Sequence, residues 1–178
     1  MTDEAGRLPD RQVAERLVAL ALNCDVPAMV GALHGLATVP ADGVSGADGQ
    51  HRTPSVHGVV NELLTAAGEM MRARAGSTSE RTVFAVDIRD DSDDEVSIDD
   101  LSPALRATIR MVLADLNHHP DEAGFQLDLA LRDPDPDAAV EVVVHALLWT
   151  IDLVEWCDRT GHAAPKWLSE AVARGTRG

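Results

Sequence analysis

The chain has 178 residues, of which 45% are hydrophobic, and this length and composition are typical of one globular domain. Its 30 Asp and Glu against 15 Lys and Arg give a formal net charge of −15, which opposes direct binding to nucleic acid and anionic membranes because both depend on Lys and Arg. With two cysteines, a polar N-terminus and no run of about 18 apolar residues, we expect a soluble cytoplasmic protein without a secretory signal or membrane span.

Two helices joined by a tight turn are predicted near the start of the chain. A flexible N-terminus is expected over residues 1–8, and Asp10 is expected to cap a helix with apolar residues at every third or fourth position. Asp25 and Pro27 predict the turn and the start of the second helix. The run at 40–53 has three glycines and no hydrophobic periodicity, so we expect a flexible loop there.

The third predicted helix is the most regularly amphipathic segment. It follows Thr53-Pro54, and its apolar residues share one stripe as far as Met71. Gly58 and Gly68 lie within this helix, and each lowers its stability by about 1 kcal/mol relative to alanine. We therefore expect neighbouring helices to approach closely at both glycines.

A small β-hairpin is predicted at about 82–98. The residues up to Ile88 are rich in β-branched and aromatic types, and an acidic turn follows them. Val96-Ser97-Ile98 can pair back against this segment. Because a lone hairpin is marginal in water, we expect it to pack against the helices.

Four further helices are predicted in the C-terminal half. One is capped by Asp99, Asp100 or Ser102, one covers about 121–131, and one opens at Pro165. The longest, from Ala138 to about Arg159, carries so few polar residues that it is expected to be the central helix, buried on most sides. The predicted fold is a mainly α single domain, 1–178, with six to seven helices bundled around this C-terminal helix.

Four ionisable residues of the predicted central helix share one face at about 100° per residue. Two interpretations are open: they converge inside the bundle and hold a divalent metal, or they point to solvent as ordinary charges. The four residues are Glu141, His145, Asp152 and Glu155. A metal site would also need ligands from other helices, and the candidates are Glu62, Glu69, His118 and His119.

Acidic residues are concentrated in two segments. Residues 87–100 contain eight acids and one arginine, and residues 121–141 contain seven acids and one arginine. The first segment lacks the glycine and the final glutamate of an EF-hand calcium loop, so it is interpreted as a solvated turn. If folding brings the two segments together, they form one acidic face that can attract a basic protein.

Familiar catalytic signatures are missing from the sequence. It contains no G-x-S-x-G, no P-loop, no dinucleotide-binding glycine motif and no C-x-x-C, so no catalytic residue and no organic cofactor is predicted. Cys157 stands on an apolar helix next to Asp158. This environment is expected to raise rather than lower the pKa of the thiol.

Three functional hypotheses follow from these patterns. The leading one is a non-enzymatic helical module, interacting or regulatory, that binds another protein or another copy of itself. The alternative is a metal-dependent hydrolase of the all-α nucleotide pyrophosphatase type, with its metal on the central-helix residues. The third is a small-ligand pocket with Trp149, Trp156 and Met111 in its wall, although core packing also accounts for these residues.

Overall fold

The computed structural model describes residues 4–37, 54–76, 82–132 and 135–175, and these form the predicted mainly helical bundle. The predicted loop at 40–53 and residues 1–3 lie outside the described residues. No helix in the described part is long and apolar enough to cross a membrane. The α-helices are α1 (Glu4–Leu22), α2 (Val26–Ala37), α3 (Val56–Arg74), α4 (Pro103–Leu116), α5 (Pro120–Leu131), α6 (Pro136–Thr160) and α7 (Lys166–Gly175).

The predicted central helix is confirmed as α6. It packs against α1 to α5, and Val143, Leu147 and Val154 are all buried. The hydroxyl of Thr150, also buried, donates to the carbonyl oxygens of Ala146 at 2.8 Å and of Leu63 in α3 at 3.2 Å. The buried hydroxyl of Thr150 thus has hydrogen-bond partners, as a polar group in an apolar core requires.

The last helix closes the bundle on α1. Gly161 takes the left-handed conformation (φ 72°) that ends α6, as the sequence predicted, and the chain turns there into α7. Leu168 and Ala171 are fully buried. Arg174 of α7 forms an ion pair with Glu15 of α1, so the C-terminal helix is tied to the N-terminal one.

Asp10 does not cap α1, contrary to the prediction. The helix begins at Glu4, and the buried carboxylate of Asp10 accepts a hydrogen bond from the Ser55 N–H at 2.8 Å. Ser55 caps α3, and its hydroxyl accepts from the Gly58 N–H at 3.0 Å. A Cβ atom on Gly58 would lie 2.2 Å from Asp10 Cγ. Asp10 therefore fills the place, and takes the hydrogen bond, of the acidic side chain in a capping box.

Gly68 marks a second close approach, between α3 and α4. A Cβ atom there would lie 2.6 Å from Asp115 Oδ2. The same carboxylate oxygen accepts from Arg72 Nη2 at 2.8 Å, and this nitrogen also donates to the Asp115 carbonyl oxygen at 2.9 Å. The close approaches predicted at both glycines of α3 are thus confirmed.

The predicted β-hairpin at 82–98 is wrong. The chain does turn back, but this described segment contains one isolated antiparallel bridge, between Arg89 and Glu95, and no strand. The Phe84 N–H donates to Asn117 Oδ1 at 2.8 Å, and the Phe84 carbonyl oxygen accepts from Asn117 Nδ2 at 3.0 Å. A side-chain amide at the end of α4 thus satisfies the backbone groups of Phe84, while farther along the Val96 N–H donates to the Ile88 carbonyl oxygen at 2.8 Å.

Candidate functional site

The four ionisable residues of α6 lie on its outward side. Glu141, Asp152 and Glu155 are exposed and His145 is half-buried, while Leu148, which lies among them, is 56% exposed. Glu155 forms an ion pair with Arg159 one turn along the helix, at 3.5 Å. This stripe, composed of Glu141, His145, Asp152 and Glu155, does not point into the bundle core.

The other predicted metal ligands are held elsewhere. Glu62 is buried and accepts a hydrogen bond from Arg11 Nε at 2.8 Å. Together with Glu69 it lines a polar cleft of about 360 Å³ between α1, α3 and α7, and no stripe residue lines that cleft. His118 and His119 are exposed between α4 and α5, where His118 takes a left-handed backbone conformation (φ 63°) at the end of α4.

Within the described residues, no group of three or more His, Cys, Asp or Glu is placed to hold a metal ion. The divalent-metal site on α6 therefore stays a prediction. It is tested by following thermal unfolding during titration with Mn²⁺ and with Zn²⁺, because an ion that binds only the native state raises the midpoint temperature. If the site exists, the midpoint rises and His145→Ala abolishes the rise; an unchanged midpoint contradicts it.

The tryptophans expected in a ligand-pocket wall have contacts within the chain. Met111 is buried in the core and Trp149 packs against the core, whereas the centre of the Trp156 ring lies 4.6 Å from that of the His162 ring and 5.6 Å from the Arg74 guanidinium carbon. Cys157, next to Trp156, is also buried, and burial raises the pKa of its thiol, as predicted. A raised pKa keeps the thiol protonated and poorly nucleophilic.

The feature that the sequence analysis missed is the outer face of α5. Phe125 and Leu129, one helical turn apart, are 57% and 54% exposed, and Leu127 is the buried residue of this helix. We define the α5 face by its exposed residues, which are Asp121, Glu122, Phe125, Asp128 and Leu129, with Arg132 at its end. A signal was present in the sequence, because the apolar residues of this short helix occupy two sides of it.

The α5 face and the acidic segment that precedes α4 both adjoin Arg110 of α4. Arg110 of α4 donates to Asp99 at 3.0 Å, and Arg106 lies within 4.0 Å of the same carboxylate oxygen. Arg110 also lines a cleft of about 430 Å³ together with Glu122 and other residues of α4 and α5. The segment before α4 and the helix after it thus border the same part of α4.

A third cleft joins the α5 face to the central helix. It has a volume of about 260 Å³ and is lined by residues of α4, α5 and α6, including Arg106, Leu129 and Val142. Outside this cleft, Asp128 of the α5 face lies 3.8 Å from His57 of α3, measured from carboxylate oxygen to Nε2. Acidic groups therefore flank the apolar pair Phe125 and Leu129 on this surface.

No protein-family model matches this sequence, and comparison with curated proteins and with solved structures finds no significant similarity.

Proposed function

We propose that the protein is a non-enzymatic interaction module that binds a basic, amphipathic segment of a partner protein on the α5 face. The observation that carries the proposal is the pair Phe125 and Leu129, two large apolar side chains more than half exposed among the acids of one helix. Large exposed apolar groups rimmed by polar residues are typical of protein-interaction sites. The low cysteine content favours the cytoplasm as the place of this interaction.

The apolar pair and the acids contribute in different ways. Complete burial of a side chain such as Phe or Leu stabilises a complex by about 1.5–3 kcal/mol, and large apolar residues at the centre of an interface supply much of its affinity. Asp121, Glu122 and Asp128 lie beside the pair, within a chain of net charge −15. Charges at the rim of an interface mainly accelerate association and select the sign of the partner.

A helical partner fits the geometry of the face. Leu129 stands at the edge of a cleft that continues to Val142 of α6, so an apolar side chain of the partner can enter beside it. An amphipathic helix presents such side chains at every third or fourth position and can carry Lys or Arg on its flanks. If two copies of this chain met at the α5 face, the carboxylates of Asp121, Glu122 and Asp128 in one copy would repel those of the other.

The proposal is tested with a synthetic helical peptide of Leu and Lys that has one apolar face, and with a scrambled peptide of the same composition as a control. We expect the amphipathic peptide to bind more tightly than the scrambled one in isothermal titration calorimetry. The double variant Phe125→Ser/Leu129→Ser should lose about tenfold or more in affinity, because both side chains are already nearly half buried and the two together are worth about 1.5–3 kcal/mol, of which 1.4 kcal/mol is a factor of ten. Raising the salt concentration should also weaken binding.

Leu148→Ser is the matched control, because Leu148 is as exposed as the α5 pair but lies on the outward side of α6. Equal binding of the two peptides, or equal losses from the Leu148 variant and the α5 variant, would contradict the proposal. If the affinity does not change with salt concentration, the acidic residues of the α5 face do not attract the partner as proposed.

A further inference from the structure

The segment at 82–89 has a β-type sequence but forms no strand within the described residues. Most of its residues are β-branched or aromatic, and these types favour an extended backbone. Its backbone is held at two points, by the Asn117 side chain at Phe84 and by the isolated bridge at Arg89. Each of these contacts uses one side of the backbone and leaves the other side open.

At Phe84, the planar trans peptide fixes the direction of the neighbouring backbone groups, because a C=O and the N–H that follows it point to opposite sides. The Phe84 N–H and carbonyl oxygen both bond to Asn117. The peptide bonds on either side of this residue are trans. The Val83 carbonyl oxygen and the Ala85 N–H therefore both point away from Asn117.

The same arrangement recurs at Arg89. The Ile88 carbonyl oxygen accepts from the Val96 N–H at 2.8 Å, and the Asp90 N–H donates to the Asp94 carbonyl oxygen at 3.0 Å. Both bonds face the returning chain. The N–H and the carbonyl oxygen of Arg89 belong to the same two peptides, so they point away from the returning chain.

We define the open edge by these outward groups of Val83, Ala85 and Arg89. Within the part of the chain that the structure describes, no hydrogen bond reaches the Val83 carbonyl oxygen, the Ala85 N–H or the Arg89 backbone. All three residues are exposed, and Val83 is 83% accessible. A row of such N–H and C=O groups is a template on which another extended chain can pair.

We propose that the open edge binds an extended, basic segment of a partner protein by β-strand addition. Main-chain hydrogen bonds then supply the affinity, and side chains at alternate positions supply the selectivity. The α5 face, in contrast, is proposed to bind a helix through apolar side chains. The open edge therefore does not depend on the function proposed for the α5 face.

The charge of the segment selects the basic partner. Residues 87–95 contain six acids and one arginine, and the acids are all exposed. This charge attracts Lys and Arg, and it repels a second copy of the chain that presents the same edge. Alternate residues of an extended segment share a face, and Val83 and Asp87 are both exposed. A partner with a β-branched residue beside Val83 and Lys or Arg beside Asp87 fits this pattern.

The first test uses a short synthetic peptide in which Val and Lys alternate. Its control is the same peptide with two adjacent central amides N-methylated, which keeps the charge but interrupts pairing on both edges. We expect the unmodified peptide to bind more tightly in isothermal titration calorimetry. At saturation it should slow hydrogen exchange of the Ala85 and Arg89 amides by about tenfold or more. Equal binding of the two peptides, or no slowing at these amides, overturns the proposal.

The second test removes one donor from the open edge. Ala85→Pro deletes the outward N–H, and the extended backbone at Phe84 is the conformation that a following proline favours. This variant should bind the peptide about threefold or more weakly, because one hydrogen bond is lost. Ala85→Ser keeps the N–H and is the matched control. The double variant Phe125→Ser/Leu129→Ser should bind as the wild type does, since it changes only the α5 face.

The third test separates local charge from net charge. Asp91→Asn/Asp94→Asn should weaken peptide binding at low salt more than Asp152→Asn/Asp158→Asn, which makes the same change in net charge on α6. Equal effects of the two pairs, or equal binding of a peptide of Val and Glu, overturn the choice of a basic partner. So does self-association through the open edge, detected by sedimentation equilibrium as a dimer that Ala85→Pro dissociates.

Discussion

Replacing Leu147 with alanine is expected to lower the free energy of unfolding by about 3 kcal/mol. The side chain is 2% exposed and lies on the inner side of the central helix α6. Its truncation removes apolar contacts and leaves a cavity that the surrounding helices fill only in part, since α6 packs against most of them. Urea unfolding followed by circular dichroism measures the loss.

The adjacent residue provides the control. Leu148 is also a leucine and is the next residue of the same helix, but it points outward and is 56% exposed. Leu148→Ala should change the free energy of unfolding by no more than about 0.5 kcal/mol. If the two variants lose similar amounts of unfolding free energy, the inner and outer sides of α6 do not differ in burial as described.

Replacing Gly58 with alanine is expected to destabilise the protein by about 2 kcal/mol. The new methyl group would lie 2.2 Å from Asp10 Cγ, so the buried Asp10 carboxylate must move and lose its hydrogen bond from the Ser55 N–H. A buried carboxylate without its donor, and a helix N-terminus without its acceptor, are both unfavourable. The measurement is again the free energy of unfolding in urea.

The cause is isolated by a double-mutant cycle with Asp10→Ala. This single change should cost about 1.5 kcal/mol, because the Ser55 N–H loses its partner. In the Asp10→Ala background the methyl group at residue 58 has room, and Gly58→Ala should then be neutral or stabilising by up to about 1 kcal/mol. If Gly58→Ala costs the same in both backgrounds, Asp10 is not what requires the glycine.

The helices could be predicted from the sequence because their signals are local. The apolar composition of α6 indicated an enclosed helix, and the glycines of α3 indicated close approaches, which Asp10 and Asp115 provide. The partner of Asp10 could not be predicted, since Ser55 follows 45 residues later and no periodicity connects them. A local pattern made Asp10 look like a cap, and a tertiary contact gave it a role at the start of another helix.

The candidate site was only partly visible in the sequence, for a related reason. Helical periodicity put Glu141, His145, Asp152 and Glu155 on one face of α6, but the direction of that face depends on where the other helices pack. Phe125 illustrates the same limit. An apolar residue on a short helix is normally expected to be buried, and its exposure here depends on how many other elements pack around α5. The sequence shows that apolar residues lie on two sides of α5, but which side is exposed depends on the packing of the other helices.

The attachment of the acidic segment before α4 has a dynamic consequence. The Asn117 amide holds the chain at Phe84, just before the segment, and Arg106 and Arg110 hold its end at Asp99. These polar contacts and the packing of Phe84 against the core lie at the edge of the bundle, so breaking them leaves most of the helical core packed as before. The segment can therefore open as a local unit at a lower free energy than global unfolding, and its amide hydrogens should exchange with solvent before those of α6.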